Sequence, residues 1–403
     1  MFNAQCSMVK TNRFLSLDVM RGITIVGMIL FNTSSGYHYA PLSHASWLGL
    51  TLADCAFPFF VFILGMTTWL SLRKYQFAPS GVALRRVAVR ALGLILVSWA
   101  FDMFADMVFS LSRTGTFDVL GHFSHMRLTG VLVRLGLCYG FCALAALYVR
   151  HRYFPHVIVA LLVGYFILLL FGDGFDRTPE NILGIVDRAL IGESHMCNDA
   201  GIDPEGILST IPSVAHAMLG FWVASKVFGA QLSSNSSIVK SSNTNNFQLS
   251  GDNVQCSMFN VFYIGSLLLL CGFLLSGVCP ISKKIWSPTF VMVLSGFACL
   301  LLGVLMELID RRGHNGVPAR FFSVFGANPL FLYLLSESII WPLELIEVGT
   351  GDARTDLWGW FFRSVCVPLF GEQGGDLAFA LIIVLLCWLV GYVLWRRKIF
   401  IRL

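Results

Sequence analysis

Charge is what this chain has least of. Only 13% of its 403 residues are Asp, Glu, Lys or Arg, against 56% hydrophobic ones, and the mean hydropathy is +0.73. A soluble domain carries about twice that share of charge, so a water-soluble globular enzyme is excluded. Also missing are a P-loop, a G-x-S-x-G elbow and the paired Cys/His spacing of a zinc site. His38, His44 and Asp54 lack the i, i+4 spacing of helical metal ligands, so no metal is expected. The eleven cysteines contain no C-x-x-C pair, and most lie in apolar runs, where a free cysteine acts as a small apolar residue. Only Cys197, Cys279 and Cys366 fall near the face expected to be oxidising. No repeat of the kind kept by transporters built from two halves is found. No small-residue cleavage site follows the first apolar run, which is therefore expected to stay as an anchor.

Long apolar runs fill the space that charge leaves. Ten of them, near 15–35, 51–72, 89–110, 128–149, 155–172, 207–228, 259–278, 286–309, 321–345 and 376–396, come close to the ~20 residues needed to cross a bilayer. The fold class that follows is all-α: a polytopic membrane helical bundle of about ten transmembrane helices. One membrane domain covers 15–396, between a polar lead at 1–14 and a basic tail at 397–403. With the N-terminus inside, 18 of the 28 Lys and Arg fall on inner segments, eight on outer ones, and Arg21 and Arg134 within spans. Basic residues gather on the cytoplasmic side, so both termini are expected there. The net charge of +5 is thus a topology signal. No nucleic-acid partner is read from it, and lipid is the expected surrounding.

Two of the runs are separated by a polar segment, from Asn32 to Leu50, that carries His38 and His44 and no Lys or Arg. The second run then brings Asp54 a short way into the membrane, where a carboxylate costs a few kcal/mol and is by default a sign of function. A histidine near an acid and an amide, Asn32, suits general-base chemistry. Imidazole titrates near neutrality, a carboxylate orients it, and an amide can donate to an oxyanion.

Elsewhere the signals are weaker. Ser16 reads as an N-cap, and Asp18 and Arg21 share a helix face as a pair at the inner mouth. Pro58 reads as a kink in the second span. Asp102 and Asp106, four apart, line either a vestibule or the interface. Arg134 either snorkels or pairs with a buried acid such as Asp54 or Asp102. His216 reads as a core histidine satisfied by a neighbour. The outer loop 173–206 holds Asp187, Arg188, Asp203 and Glu205, groups able to bond a polar ligand. The inner loop 230–258, rich in Ser, Asn and Gln, reads as a flexible linker. Asn328-Pro329 reads as a kink, and 357–366 as an interfacial helix.

Five motifs in order carry a resemblance. Ser-Leu-Asp-Val-Met-Arg-Gly at 16–22, the stretch from His44-Ala-Ser-Trp47 to Phe-Pro-Phe-Phe-Val-Phe62, Gly-Val-Leu-Val-Arg-Leu-Gly-Leu-Cys-Tyr at 130–139, Asp-Pro-Glu-Gly-Ile-Leu-Ser-Thr at 203–210 and Phe-Gly-Ala-Asn at 325–328 resemble the heparan-alpha-glucosaminide N-acetyltransferase family. The resemblance implies transfer of acetyl from cytosolic acetyl-CoA, the donor substrate, to a terminal glucosamine amine across the membrane. It puts the family's active-site histidine on His44, its aspartate on Asp54 and its asparagine on Asn32. Arg21, Arg134 and Asn328 are then candidates for donor contacts or for structural polar links, and Trp47, Asp187, Arg188, Asp203 and Glu205 for the sugar acceptor.

Lysosomal members carry an extra luminal region and a further span, so a bacterial-type relative in a plasma (inner) membrane, with His44 near the outer face, is expected. A homodimer is allowed for. The family's Trp-Asn-Gly is Trp47-Leu48-Gly49 here, and one extra residue separates Asn32 from His44. The first departure keeps a hydroxyl acceptor on an envelope glycan as an alternative to the amine. A carrier without chemistry is the third reading.

Overall fold

Inside a bilayer a backbone must bond to itself, which leaves an apolar chain the helix as its single-segment solution. The computed structural model describes residues 14–33, 36–197, 199–238, 251–349 and 354–401, and nearly all of these form an all-α bundle. Most of the lead and the end of the tail lie outside the described residues. In chain order come α1 (Leu15–Asn32), a 3-10 turn (Ala53–Cys55) leading into α2 (Ala56–Leu72), α3 (Gly81–Thr114), the short α4 (Val119–His125), α5 (Val131–Tyr148) and α6 (Phe154–Phe171). Then follow α7 (Ile182–Ile191), α8 (Thr210–Ile238), α9 (Gly251–Leu275), α10 (Pro288–Leu305), α11 (Val317–Ala327), α12 (Pro329–Leu345), a two-residue hairpin (Glu347–Val348 with Thr355–Asp356), α13 (Leu357–Phe361) and α14 (Val367–Arg396). Among the described residues nine helical stretches are long and apolar enough to cross a membrane. The pair α11 and α12 makes a tenth if it is one span, bent by 84°. The bend falls at Asn328-Pro329, where the residue before a proline is pushed out of helical geometry.

At the centre, α2 buries residues all round, among them Val61, Phe62, Ile63 and Met66. Two close crossings hold it and α1. A Cβ on Gly65 would sit 1.8 Å from the Ala217 carbonyl oxygen, and one on Gly220 2.1 Å from that of Phe62, so α2 and α8 touch backbone to backbone. Gly22 and Gly326 do the same for α1 and α11, at 1.9 Å from Phe322 O and 2.1 Å from Asp18 O. Small residues at the contact let helices approach where lipid gives no hydrophobic drive to associate. By contrast α3, α6 and α9 leave Leu92, Leu96, Val159, Val163, Leu267 and Leu270 exposed, an outer face matched to hydrocarbon.

Four expectations change. Pro58 lies in the first turn of α2, where an amide has no intrahelical acceptor to lose, so it starts the helix instead of kinking it. Ser16 does not cap α1, whose N-cap is Phe14; its hydroxyl donates to Asp310 Oδ2 at 2.6 Å. His216 is in the core but unsatisfied: both ring nitrogens lack a partner, and the ring packs against Phe62 and Trp286. The linker is partly helix, since α8 runs to Ile238 and α9 starts at Gly251; residues 239–250 lie outside the described residues.

Candidate active site

The segment between α1 and α2 has, among its described residues, no regular structure beyond two 3-10 turns, Ala40–Leu42 and Ala53–Cys55. Its own backbone closes it, with Leu52 N donating to Pro41 O at 3.1 Å. The loop 276–287 pins it from the side: Gly49 N donates to Ile281 O at 2.8 Å and Ser282 Oγ to Trp47 O at 2.5 Å. Gly49 takes φ +112°, a backbone that a side chain would strain.

His44 is thereby set against the mouth of α2. Its Nδ1 lies 2.8 Å from Asp54 Oδ1, and the imidazole stays 37% exposed while the carboxylate is fully buried. Asp54 Oδ2 accepts from Ala45 N at 3.2 Å, Thr51 N at 3.1 Å and Thr51 Oγ1 at 2.9 Å. A buried carboxylate with this many donors stays ionised and fixes the proton of its partner imidazole on Nδ1. Nε2 then carries the lone pair, 3.4 Å from Lys283 Nζ.

A third group stands at this pair. Lys283 Nζ lies 3.2 Å from His44 Nδ1, 3.4 Å from Nε2 and 3.7 Å from Asp54 Oδ1. Burial draws the Lys283 ammonium below the ordinary lysine range, with Asp54 acting the other way. Sequence reasoning missed this residue, counting it only among the outer basic positions. The available signal was a lysine pair, Lys283-Lys284, on the side where basic residues are few.

The remaining candidates fall in three places. Asn32, closing α1, is exposed and acts on the carboxyl of Glu337 in α12. Arg134 is 1% exposed and donates to Gly206 O at 3.2 Å and to Ser209 Oγ. Its guanidinium stacks 5.0 Å from the Trp286 ring, while Nε and Nη1 have no partner. It therefore neither snorkels nor pairs with Asp54 or Asp102, the two outcomes expected of it. Arg21 and Asn328 sit toward the other end of α1, about 16 Å from Asn32 at 1.5 Å per residue. Arg21 bonds Asp18 and Gly326 O, and Asn328 clasps the C-terminal segment through Ile399 O and Ile401 N.

The loop groups brace one another. Trp47 Nε1 donates to Phe175 O at 2.6 Å, and Arg188 to Gly201 O at 2.8 Å. Asp203 and Glu205 both hold Arg127, at 2.7 and 2.6 Å. Burial would raise Asp203, but Arg127 outweighs it and holds the carboxyl below the usual range. Asp187 Oδ1 accepts from Ile207 N and Leu208 N, yet burial, with Oδ2 unpartnered, pushes it up to about 6. Cys197, Cys279 and Cys366 are all free. Asp106 is taken by His122, 2.8 Å away. Among the described residues no three His, Cys, Asp or Glu side chains gather to hold a metal ion.

Fold and site together define a multi-pass helical membrane protein with a hydrogen-bonded histidine and carboxylate at the end of its bundle. Residues 13–175 match the family model for the catalytic region of heparan-alpha-glucosaminide N-acetyltransferase. The chain is 26% identical over 381 residues to the Homo sapiens heparan-alpha-glucosaminide N-acetyltransferase, covering 80% of this chain and 52% of that protein. It is 25% identical over 374 residues to the Mus musculus protein of the same name, covering 80% and 53%. The chain is thus similar to heparan-alpha-glucosaminide N-acetyltransferases along most of its length, and it spans about half the length of the curated relatives it matches.

Proposed function

We propose that the chain is a transmembrane acetyltransferase that moves the acetyl group of acetyl-CoA to the amine of a glucosamine-type sugar. The observation that carries this is the His44–Asp54 pair, an oriented and half-exposed base at the end of a bundle whose relatives are named as N-acetyltransferases. Asp54 holds Nδ1–H, and Nε2 removes the proton from the attacking amine. The same nitrogen also suits a two-step route, in which it attacks the thioester, the C–S bond breaks and the acetyl rests on the imidazole before the amine takes it.

For the donor, Arg134 supplies two buried N–H groups with no partner, which fits a carbonyl or phosphate oxygen of acetyl-CoA. Basic inner segments would hold the CoA phosphates, because CoA is too charged to cross. The acetyl donor then enters from the cytosol and the sugar is met at the outer face of a plasma membrane, beneath the 173–206 loop. Arg21 and Asn328 act at the donor end of the bundle, Asn32 through Glu337, and Trp47, Asp187, Arg188, Asp203 and Glu205 by shaping the acceptor side. A hydroxyl acceptor is the second reading. It is favoured by Leu48, 46% exposed next to Trp47, which offers the acceptor no polar contact.

The test is transfer of labelled acetyl from acetyl-CoA to glucosamine by purified protein, run beside His44→Ala. Label in the sugar that disappears in the variant supports the reading. Protein that binds acetyl-CoA but labels only hydroxyl acceptors moves the assignment to the second reading, and failure to bind acetyl-CoA removes both.

A further inference from the structure

Acyl transfer needs two groups around one carbonyl carbon: a base for the entering nucleophile, and a hydrogen-bond donor aimed at the oxygen that becomes negative. His44 Nε2 provides the first. For the second, an amide at Asn32 is the natural choice by residue type, but it acts on Glu337 of α12, and the donor that lies against the His44 ring is Lys283. The geometry points to Lys283 as the missing catalytic residue, its ammonium taking the developing oxyanion of acetyl transfer; this rests on the acetyltransferase reading above.

Three observations converge on it. First, position: a carbonyl carbon within reach of Nε2 has its oxygen within reach of Nζ, since the two nitrogens are 3.4 Å apart. Second, Lys283 pairs with Asp54 only as an ion pair without a hydrogen bond, so its N–H groups are not taken by the carboxylate. The carboxylate already receives His44, Ala45 N and both donors of Thr51, and Nζ stands off at 3.7 Å. Third, the loop that carries it is held on several sides. Ile281 and Ser282 bond the His44 segment, Tyr165 OH donates to Ile285 O at 2.6 Å, and Ser287 caps α10. The neighbouring Lys284 turns away to Asp199, at 2.7 Å. A donor fixed before the reaction costs no reorganisation during it.

The step balances. The acceptor amine gives its proton to His44 Nε2 as its nitrogen bonds the carbonyl carbon. The carbonyl electron pair moves to oxygen, where Lys283 Nζ–H donates to it. Collapse restores the C=O, breaks the C–S bond and expels CoA thiolate, which takes the proton from the imidazolium. Lys283 stays an ammonium throughout, influenced by Asp54 of the α2 turn, Glu205 of the 199–209 segment, Arg134 of α5 and its neighbour Lys284.

The test compares wild type with Lys283→Gln, Lys283→Met and Lys283→Arg in labelled acetyl transfer, with size-exclusion elution and the unfolding midpoint recorded for each. Expected is a fall in kcat of about 10²–10³-fold for Gln and Met, with KM for acetyl-CoA within about threefold of wild type. Arg, which keeps a charged donor, recovers at least tenfold of that loss. The alkaline limb of the wild-type kcat profile should also move upward in the Arg variant. A kcat for Lys283→Gln within fivefold of wild type overturns the inference, as does a loss carried wholly by KM. If the Gln and Met proteins do not elute as folded, the Arg variant decides: an alkaline limb coincident with wild type overturns it. No transfer by wild type itself strikes the underlying reading instead.

Discussion

His44 reaches its acid through Nδ1 and keeps Nε2 beside Lys283 Nζ, an asymmetry that sets what each substitution removes. His44→Ala deletes the base and is expected to cost about 10²–10⁴-fold in acetyl transfer. Asp54→Asn keeps the shape but loses the charge that holds Nδ1–H, so a fall in kcat of similar order is expected, with little change in KM for acetyl-CoA. A variant within threefold of wild type would remove Asp54 from the mechanism. Asp187 offers a pH test away from the chemistry. Its carboxyl ionises at about 6 in the fold, above its ordinary 3.8, so the folded state binds the proton more tightly than the unfolded one. The resulting stability is complete below pH ~4 and lost as pH rises through about 6, a difference of about 3 kcal/mol at 1.36 kcal/mol per unit. Asp187→Asn keeps an acceptor for Ile207 N and Leu208 N and carries no charge. It should raise the unfolding midpoint at pH 8 and leave it near wild type at pH 4; a lower midpoint at pH 8 would contradict this.

At the scale of elements, α1 and α2 are held by two close backbone crossings. Gly65→Val puts atoms where the Ala217 carbonyl stands and must part α2 from α8, so loss of monodisperse protein is expected on size exclusion. The same change at Gly164, which has open space around its Cβ position, should be tolerated. Arg127→Met leaves Asp203 buried beside Thr129 without its cation. Because Arg127 is itself about a third exposed, the cost should sit toward the low end of the ~3–5 kcal/mol for a broken buried pair, seen as a lower midpoint and faster proteolysis near 193–209.

Spans were legible from hydropathy because each is a local property of about 20 residues, and the Asn328-Pro329 bend because proline acts on its immediate neighbour. Local rules failed where a distant group competes. Asp310 draws off the Ser16 hydroxyl from nearly 300 residues away, and aromatic rings, not a polar partner, surround His216.

For the whole molecule the open quantity is sidedness. If the basic segments face the cytosol, inside-out vesicles given external labelled acetyl-CoA should acetylate sugar trapped in the lumen, and right-side-out vesicles should not. The reverse pattern would invert the proposed orientation.

Composition and order along the chain were enough to establish a helical membrane bundle and its spans, and to single out His44 and Asp54, which the fold brings together as a hydrogen-bonded pair. Burial of apolar segments in lipid is additive along the chain, and an acid inside a membrane span is costly whatever its neighbours in sequence. Which groups meet was decided only by the tertiary fold. Lys283 arrives 239 positions after His44, through a loop whose place is set by Trp47, Tyr165 and α10. Asn32, just 12 positions before His44, acts instead on Glu337 of α12. Contacts of that kind depend on how helices cross, and helix crossing depends on backbone clearances such as those at Gly65 and Gly22, which no single stretch of residues encodes alone.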